Sequence, residues 1–103
     1  MTETKFENVE VTKRANVYYD GDVTSRELVT EDGVRKTLGI MQPGQYEFDA
    51  SEEELIELYA GELTVELDGS TETYGAGESF VVDAGTTFTV DVDELVEYCC
   101  TYR

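Results

Sequence analysis

The sequence has no histidine. That single absence removes imidazole general bases, Ser-His-Asp triads and His-ligated zinc, iron or copper sites. It has one proline, too few for a Pro-rich spacer. Its two cysteines, Cys99 and Cys100, are adjacent. Neighbours on a strand point to opposite faces, so these two are badly placed to pair with each other, and reduced thiols are expected. The longest apolar runs are a few residues, far short of a membrane span. Met1 to Asn8 is polar and acidic, without the apolar stretch of a signal peptide, so the expected location is the cytoplasm.

Positive charge is also scarce. The only cations are Lys5, Lys13, Arg14, Arg26, Arg35, Lys36 and Arg103, against 24 Asp and Glu, for a formal net charge of -17. Such a surface repels nucleic acid and anionic membranes, so neither is an expected partner. Self-repulsion on this scale destabilises a compact state at low salt, and screening relieves it. Adaptation to a saline cytoplasm and an ordinary acidic protein both fit that composition.

What the chain does have is alternation. At 103 residues it fits one domain, residues 1–103. Leu63, Val65 and Leu67 share one face of a period-two run, as do Phe88, Val90 and Val92. Val96, Tyr98, Cys100 and Tyr102 share another. Lys36, Leu38 and Ile40 alternate with Arg35, Thr37, Gly39 and Met41, and either set is free to face inward. Turn signals separate the runs: Asp20-Gly21-Asp22, Glu31-Asp32-Gly33, Pro43-Gly44, Gly61-Glu62, Asp68-Gly69-Ser70, Gly75-Ala76-Gly77 and Ala84-Gly85. This pattern predicts an all-β sandwich or barrel. Ser51 to Glu54 has the look of a helix capping box, but the next turn signal follows too soon for more than a turn or a one-turn helix.

Two degenerate motifs sit in the middle of the chain. Pro43-Gly44-Gln45-Tyr46-Glu47-Phe48, with Glu54 six residues before Gly61, resembles the first cupin motif. Gly77, then Asp83-Ala84-Gly85 and Phe88, resembles the second. Phe48, Ala50 and Phe88 stand where cupins usually carry histidine. Glu54 alone cannot hold a transition metal, so a metal-free site is expected and a metal-dependent cupin oxygenase or isomerase is the weakest reading. The resemblance implies a single cupin-type β-barrel, that is, a double-stranded β-helix or jelly roll.

A closer resemblance spans nearly the whole chain. Asn16-Val17-Tyr18-Tyr19-Asp20-Gly21 with Val23-Thr24-Ser25-Arg26 forms the first block, and Arg35 to Met41 with Pro43-Gly44 and Tyr46-Glu47-Phe48 the second. Gly61-Glu62-Leu63, Ala76 to Phe80 and Tyr98 to Tyr102 complete the set. Together they resemble the pyrimidine/purine nucleoside phosphorylase family. Departures are Asp22, Gln42 and Asp83. The resemblance implies a homodimer that cleaves nucleosides with inorganic phosphate as co-substrate and no other cofactor, giving free base and pentose 1-phosphate. A non-catalytic cupin that binds a small ligand is the alternative.

Phosphate needs guanidinium, hydroxyl and backbone N–H donors. Arg35, in the densest block, is the first candidate for anchoring phosphate and for catalysis, and Arg26 the second. Ser79 and Thr87 are candidate hydroxyl donors. A surface ion pair with one of the many acids is the competing reading of either arginine. Glu54, the polar cupin position that persists, is the candidate for holding ribose hydroxyls or offsetting positive charge on the sugar. Tyr18, Tyr46 and Tyr98 are candidates for stacking on the nucleoside, with core or dimer packing as the competing role. Cys100 is expected to pack on an apolar face. If Leu38 and Ile40 point inward, Arg35 faces the other sheet surface or a partner subunit.

Overall fold

Alternation becomes strand wherever the sequence shows it. The structure, a computed structural model, describes residues 4–103. Its strands are β1 (Glu10–Val11), β2 (Asn16–Tyr18), β3 (Val23–Val29), β4 (Arg35–Met41), β5 (Gly44–Ala50), β6 (Glu54–Leu67), β7 (Ser70–Gly75), β8 (Ser79–Val82) and β9 (Thr86–Tyr102). A 3-10 turn, Tyr19–Gly21, links β2 to β3. No described helix is long and apolar enough to cross a membrane. Ser51 and Glu52 form a bend that feeds β6.

Two long antiparallel strands carry the architecture. The first half of β6 lies between β8 and the second half of β9. Its second half lies between β7 and the first half of β9. β4, and beyond it β3, add to the second half of β9, while β5 adds to the first. The nine-stranded sheet is therefore folded into two facing layers that share β6 and β9, an all-β jelly roll whose strands do not close into a hydrogen-bonded ring.

The Gly61-Glu62 turn signal predicts a break between strands. The structure keeps one strand there, with register shifts between Leu58 and Leu63. Gly61 has φ +83°, and a Cβ at this position would sit 2.1 Å from the Leu95 carbonyl oxygen. Glycine thus lets β6 bend from one layer to the other without leaving the sheet.

The inward faces of both layers make the core. Leu58, Leu63, Val65, Val90, Val92 and Val96 are buried together. Each such side chain contributes about 1.5–3 kcal/mol on burial. On β4, Thr37 and Met41 are buried, Leu38 is half-buried and Ile40 is exposed. The Arg35, Thr37, Gly39 and Met41 set is therefore the inner one. Gly39 is required there, because a Cβ would lie 2.3 Å from the Thr24 carbonyl oxygen and 2.7 Å from the Tyr98 hydroxyl. Cys99 and Cys100 are free, buried and on opposite faces of β9.

Candidate active site

A cavity of about 580 Å³ lies between the layers. Its first wall presents Ser25 from β3, Thr37 from β4, Glu54 from β6, and Tyr98, Cys100 and Tyr102 from β9. Period-two geometry explains the grouping: alternate residues of β9 share its inner face, and β4 and β6 flank that half on either side. The second wall presents Phe48 from β5 and Phe88 and Val90 from the other half of β9. Phe48 and Phe88 are a cross-strand pair with ring centroids 5.7 Å apart. Tyr18 and Tyr19 stand at the mouth, each about half exposed.

Glu54 is half-buried and accepts a hydrogen bond from the Cys100 thiol, Sγ to Oε1 3.3 Å. Burial pushes its carboxyl above the ordinary carboxylate range, and Glu52 adds to that. The Cys100 thiol and Arg35 act the other way. Burial, then the charge of Glu54, also pushes Cys100 up, so its thiol stays protonated and remains a donor. The Tyr102 hydroxyl lies 3.3 Å from the Thr37 Oγ1, and burial raises the phenol. Burial raises Tyr98 to about 12, with Ser25 opposing. Asn16 donates to the Ser25 hydroxyl at 3.2 Å. This wall therefore gathers O–H and S–H donors around one carboxylate, with Val23, Met41, Ile56 and Phe80 completing it.

Arg35 is not itself among the residues lining the cavity; it reaches the site through Tyr102, which is. Its guanidinium carbon lies 4.4 Å from the Tyr102 ring centroid. It also pairs with Glu52 and, at 3.8 Å, with Glu27. The residue is therefore at once a surface ion pair and the cation nearest this wall's Tyr102. Among the described residues, no three Cys, Asp or Glu side chains converge as metal ligands.

The other sequence candidates divide. Tyr18 and Tyr98 line the cavity with Glu54. Tyr46 does not; it is buried in the core and its hydroxyl donates to the Gln42 carbonyl at 2.7 Å. Arg26 lies on the exposed face of β3 and donates to the Lys13 carbonyl. Ser79 is on the exposed face of β8. Thr87 is exposed and donates to Asp49 Oδ1 at 2.6 Å. Cys100 joins the cavity wall rather than only packing. Thr37, Tyr102, Phe48 and Phe88 line the cavity and were not among the sequence candidates. The parity of β4 with Arg35, and of β9 with Tyr98, is the signal that carries Thr37 and Tyr102. Nothing local marks Tyr19.

Comparison with known proteins adds identity to geometry. The family described as pyrimidine/purine nucleoside phosphorylase matches residues 13–102. A protein of that name from Leptospira interrogans is 50% identical over 102 residues, covering 96% of this chain and 95% of its own. Another from Clostridioides difficile is 48% identical over 101 residues, covering 96% of each. Among solved structures, a protein of unknown function from Acinetobacter sp. ADP1 superposes with a TM-score of 0.91 at 34% identity, covering 96% of this chain and 98% of that one. An RmlC-like cupin from Shewanella frigidimarina has a TM-score of 0.69 at 16% identity, covering 93% and 84%, a likeness of fold.

Proposed function

Because the chain belongs to the pyrimidine/purine nucleoside phosphorylase family, we propose that it cleaves the N-glycosidic bond of purine and pyrimidine nucleosides with inorganic phosphate. The bond from C1′ to the base nitrogen breaks, its electron pair leaves with the base, and a phosphate oxygen bonds to C1′. The base takes up a proton, and pentose 1-phosphate is the second product.

The observation that carries this reading is the cavity with two unlike walls. An aromatic face tolerates any base, because every base has a π-face. Opposite it, the Glu54 carboxylate is suited to offset positive charge developing on the sugar, and the Thr37 and Tyr102 hydroxyls to hold the ribose. Arg35, stacked on Tyr102, anchors phosphate. Among the sequence candidates, Tyr18 and Tyr98 stay with the nucleoside in this reading, while Arg26, Ser79, Thr87 and Tyr46 are not used. The protein works in the cytoplasm as a homodimer. Leu38, Ile40, Leu55, Tyr59 and Val81 share the outer face of the β4–β9–β6–β8 layer, with Ile40, Tyr59 and Val81 exposed. A twin chain buries such a face, and light scattering should give the mass of two chains.

Adenosine or uridine mixed with protein and phosphate should release free base at a rate that saturates with phosphate. Arg35→Ala removes charge-assisted bonds of roughly 1.5–3 kcal/mol each, so phosphorolysis should slow about ten- to a hundred-fold. Arg35→Lys should recover only part, since the ammonium lacks the bidentate fork. Unchanged rate and unchanged phosphate dependence in Arg35→Ala would remove Arg35 from the site. The Glu52 and Glu27 pairing of Arg35 favours a second reading, ligand binding without turnover. Nucleoside binding with no base release at any phosphate concentration would select it.

A further inference from the structure

The mouth of the cavity is spanned by Tyr19, a side chain whose backbone is in an unfavourable conformation. Tyr19 has φ 53° and the next residue, Asp20, has φ 55°. Asp tolerates the left-handed region, but a bulky aromatic residue there is an outlier that its surroundings must hold in place. What holds it is the edge of β5. The Tyr19 hydroxyl donates to the Glu47 carbonyl at 2.6 Å and accepts from the Glu47 N–H at 3.0 Å. Among the described strands β5 pairs only with β9, so those two backbone groups face off its free edge. The Tyr19 ring packs on Tyr46, 5.0 Å between centroids, and edge-on against Phe48 at 6.0 Å.

One phenol thereby bridges the turn before β3, at the edge of one layer, to the edge strand of the other. Tyr18, Tyr19, Glu47 and Phe48 line the same cavity as Glu54 and Tyr102. Both hydrogen bonds lie at an exposed edge, where water replaces them at little cost. Backbone strain favours release while the bonds and the ring contacts favour closure, and such opposition makes a contact reversible.

Resting on the nucleoside reading of this cavity, we infer that Tyr19 is a clasp of the nucleoside site. Closed, it fixes the aromatic wall against the base and narrows the mouth. Open, it admits nucleoside and releases base. Phosphate, anchored by Arg35, does not depend on it.

The test is Tyr19→Phe, which keeps the ring and removes the hydroxyl, with Tyr18→Phe as the neighbouring control. Amide hydrogen exchange followed by NMR should show the Glu47 N–H of Tyr19→Phe exchanging about tenfold faster than in the parent, with Tyr18→Phe unchanged there. The KM for adenosine and for uridine should rise about fivefold in Tyr19→Phe, while the KM for phosphate stays put. Unchanged Glu47 exchange would overturn the clasp. So would fast exchange with unchanged nucleoside KM, or equal acceleration in Tyr18→Phe. If the parent releases no base, the phosphorolysis reading fails by itself; the exchange data, and adenosine titration of Tyr19→Phe against the parent by NMR, still decide the clasp.

Discussion

The two walls of the cavity are built from the two halves of the same strand, yet they differ in kind. The first half of β9 contributes Phe88 and Val90 and pairs with Phe48 on β5, so its wall is apolar and its outer face, with Asp91, is wet. The second half contributes Tyr98, Cys100 and Tyr102, and on its outer side Cys99 and Thr101 are buried while Glu97 is exposed. The apolar wall is ordinary core that stops short of filling the space. The polar wall places a carboxylate, a thiol and several hydroxyls where packing alone calls for Val or Leu. Such groups, even when paired, add no more to stability than apolar side chains of the same shape would. Stability should therefore reside in one wall and chemistry in the other.

The largest test of that division is Phe88→Ala. Phe88 is buried against Phe48, and truncation should cost about 3–5 kcal/mol of stability. Urea unfolding should show it. A loss well below that range would mean the apolar wall collapses easily and is not the stable half.

Glu54→Gln should behave in the opposite way. If Glu54 offsets the sugar cation as proposed, losing its charge should slow base release about a hundredfold or more, while stability at neutral pH should rise. The carboxyl is held above its ordinary range chiefly by burial, so between the unfolded and folded pKa values the folded chain binds more protons. The parent therefore loses stability as pH rises through that window, whereas the neutral amide of the variant does not titrate. Melting curves of both proteins from about pH 4 to about pH 8 should converge at the acid end and separate above it. A variant that is both slow and less stable at neutral pH would break the comparison.

Phe48→Leu probes the apolar wall more gently. Phe48 is half-buried, so folding should survive, while the KM for nucleoside rises roughly fivefold through lost stacking and that for phosphate does not move.

Salt is the smallest and broadest test. Among the described residues the ion pairs are Arg35 with Glu27 and Glu52, and Arg103 with Glu53, so most of the described Asp and Glu side chains lack a cationic partner. The acids stud the outer faces of both layers, as with Glu66 and Asp91 on one and Glu57 and Glu97 on the other. Molar KCl should raise the melting temperature of the parent by a few degrees, about what 1 kcal/mol gives in a domain of this size. The penalties of Phe88→Ala and Glu54→Gln should stay the same. Equal midpoints at low and molar salt would show that the acidity does not burden the fold.

Much of this molecule was legible in one dimension. Period-two runs at Leu63–Leu67, Phe88–Val92 and Val96–Tyr102 fix strands and their inner faces, because a strand has only two sides and water chooses between them. The absence of histidine keeps imidazole out of the chemistry, and five blocks in order carry the family. Tertiary structure decided the rest, for reasons no window of sequence contains. Gly61 reads as a turn but is a bend, because what demands a missing Cβ is the Leu95 carbonyl arriving from another strand. Tyr98 lies over β4 only because Gly39 has no side chain to meet its hydroxyl, and Arg35 stacks on Tyr102, a residue far along the chain. Tyr46 lies in a strand and Tyr19 in the turn before β3. One spends its hydroxyl on Gln42 inside the core, and the other reaches across to Glu47. Local pattern sets which way a side chain points; what it meets there depends on a strand distant in sequence, and that meeting separates a packing residue from a site residue.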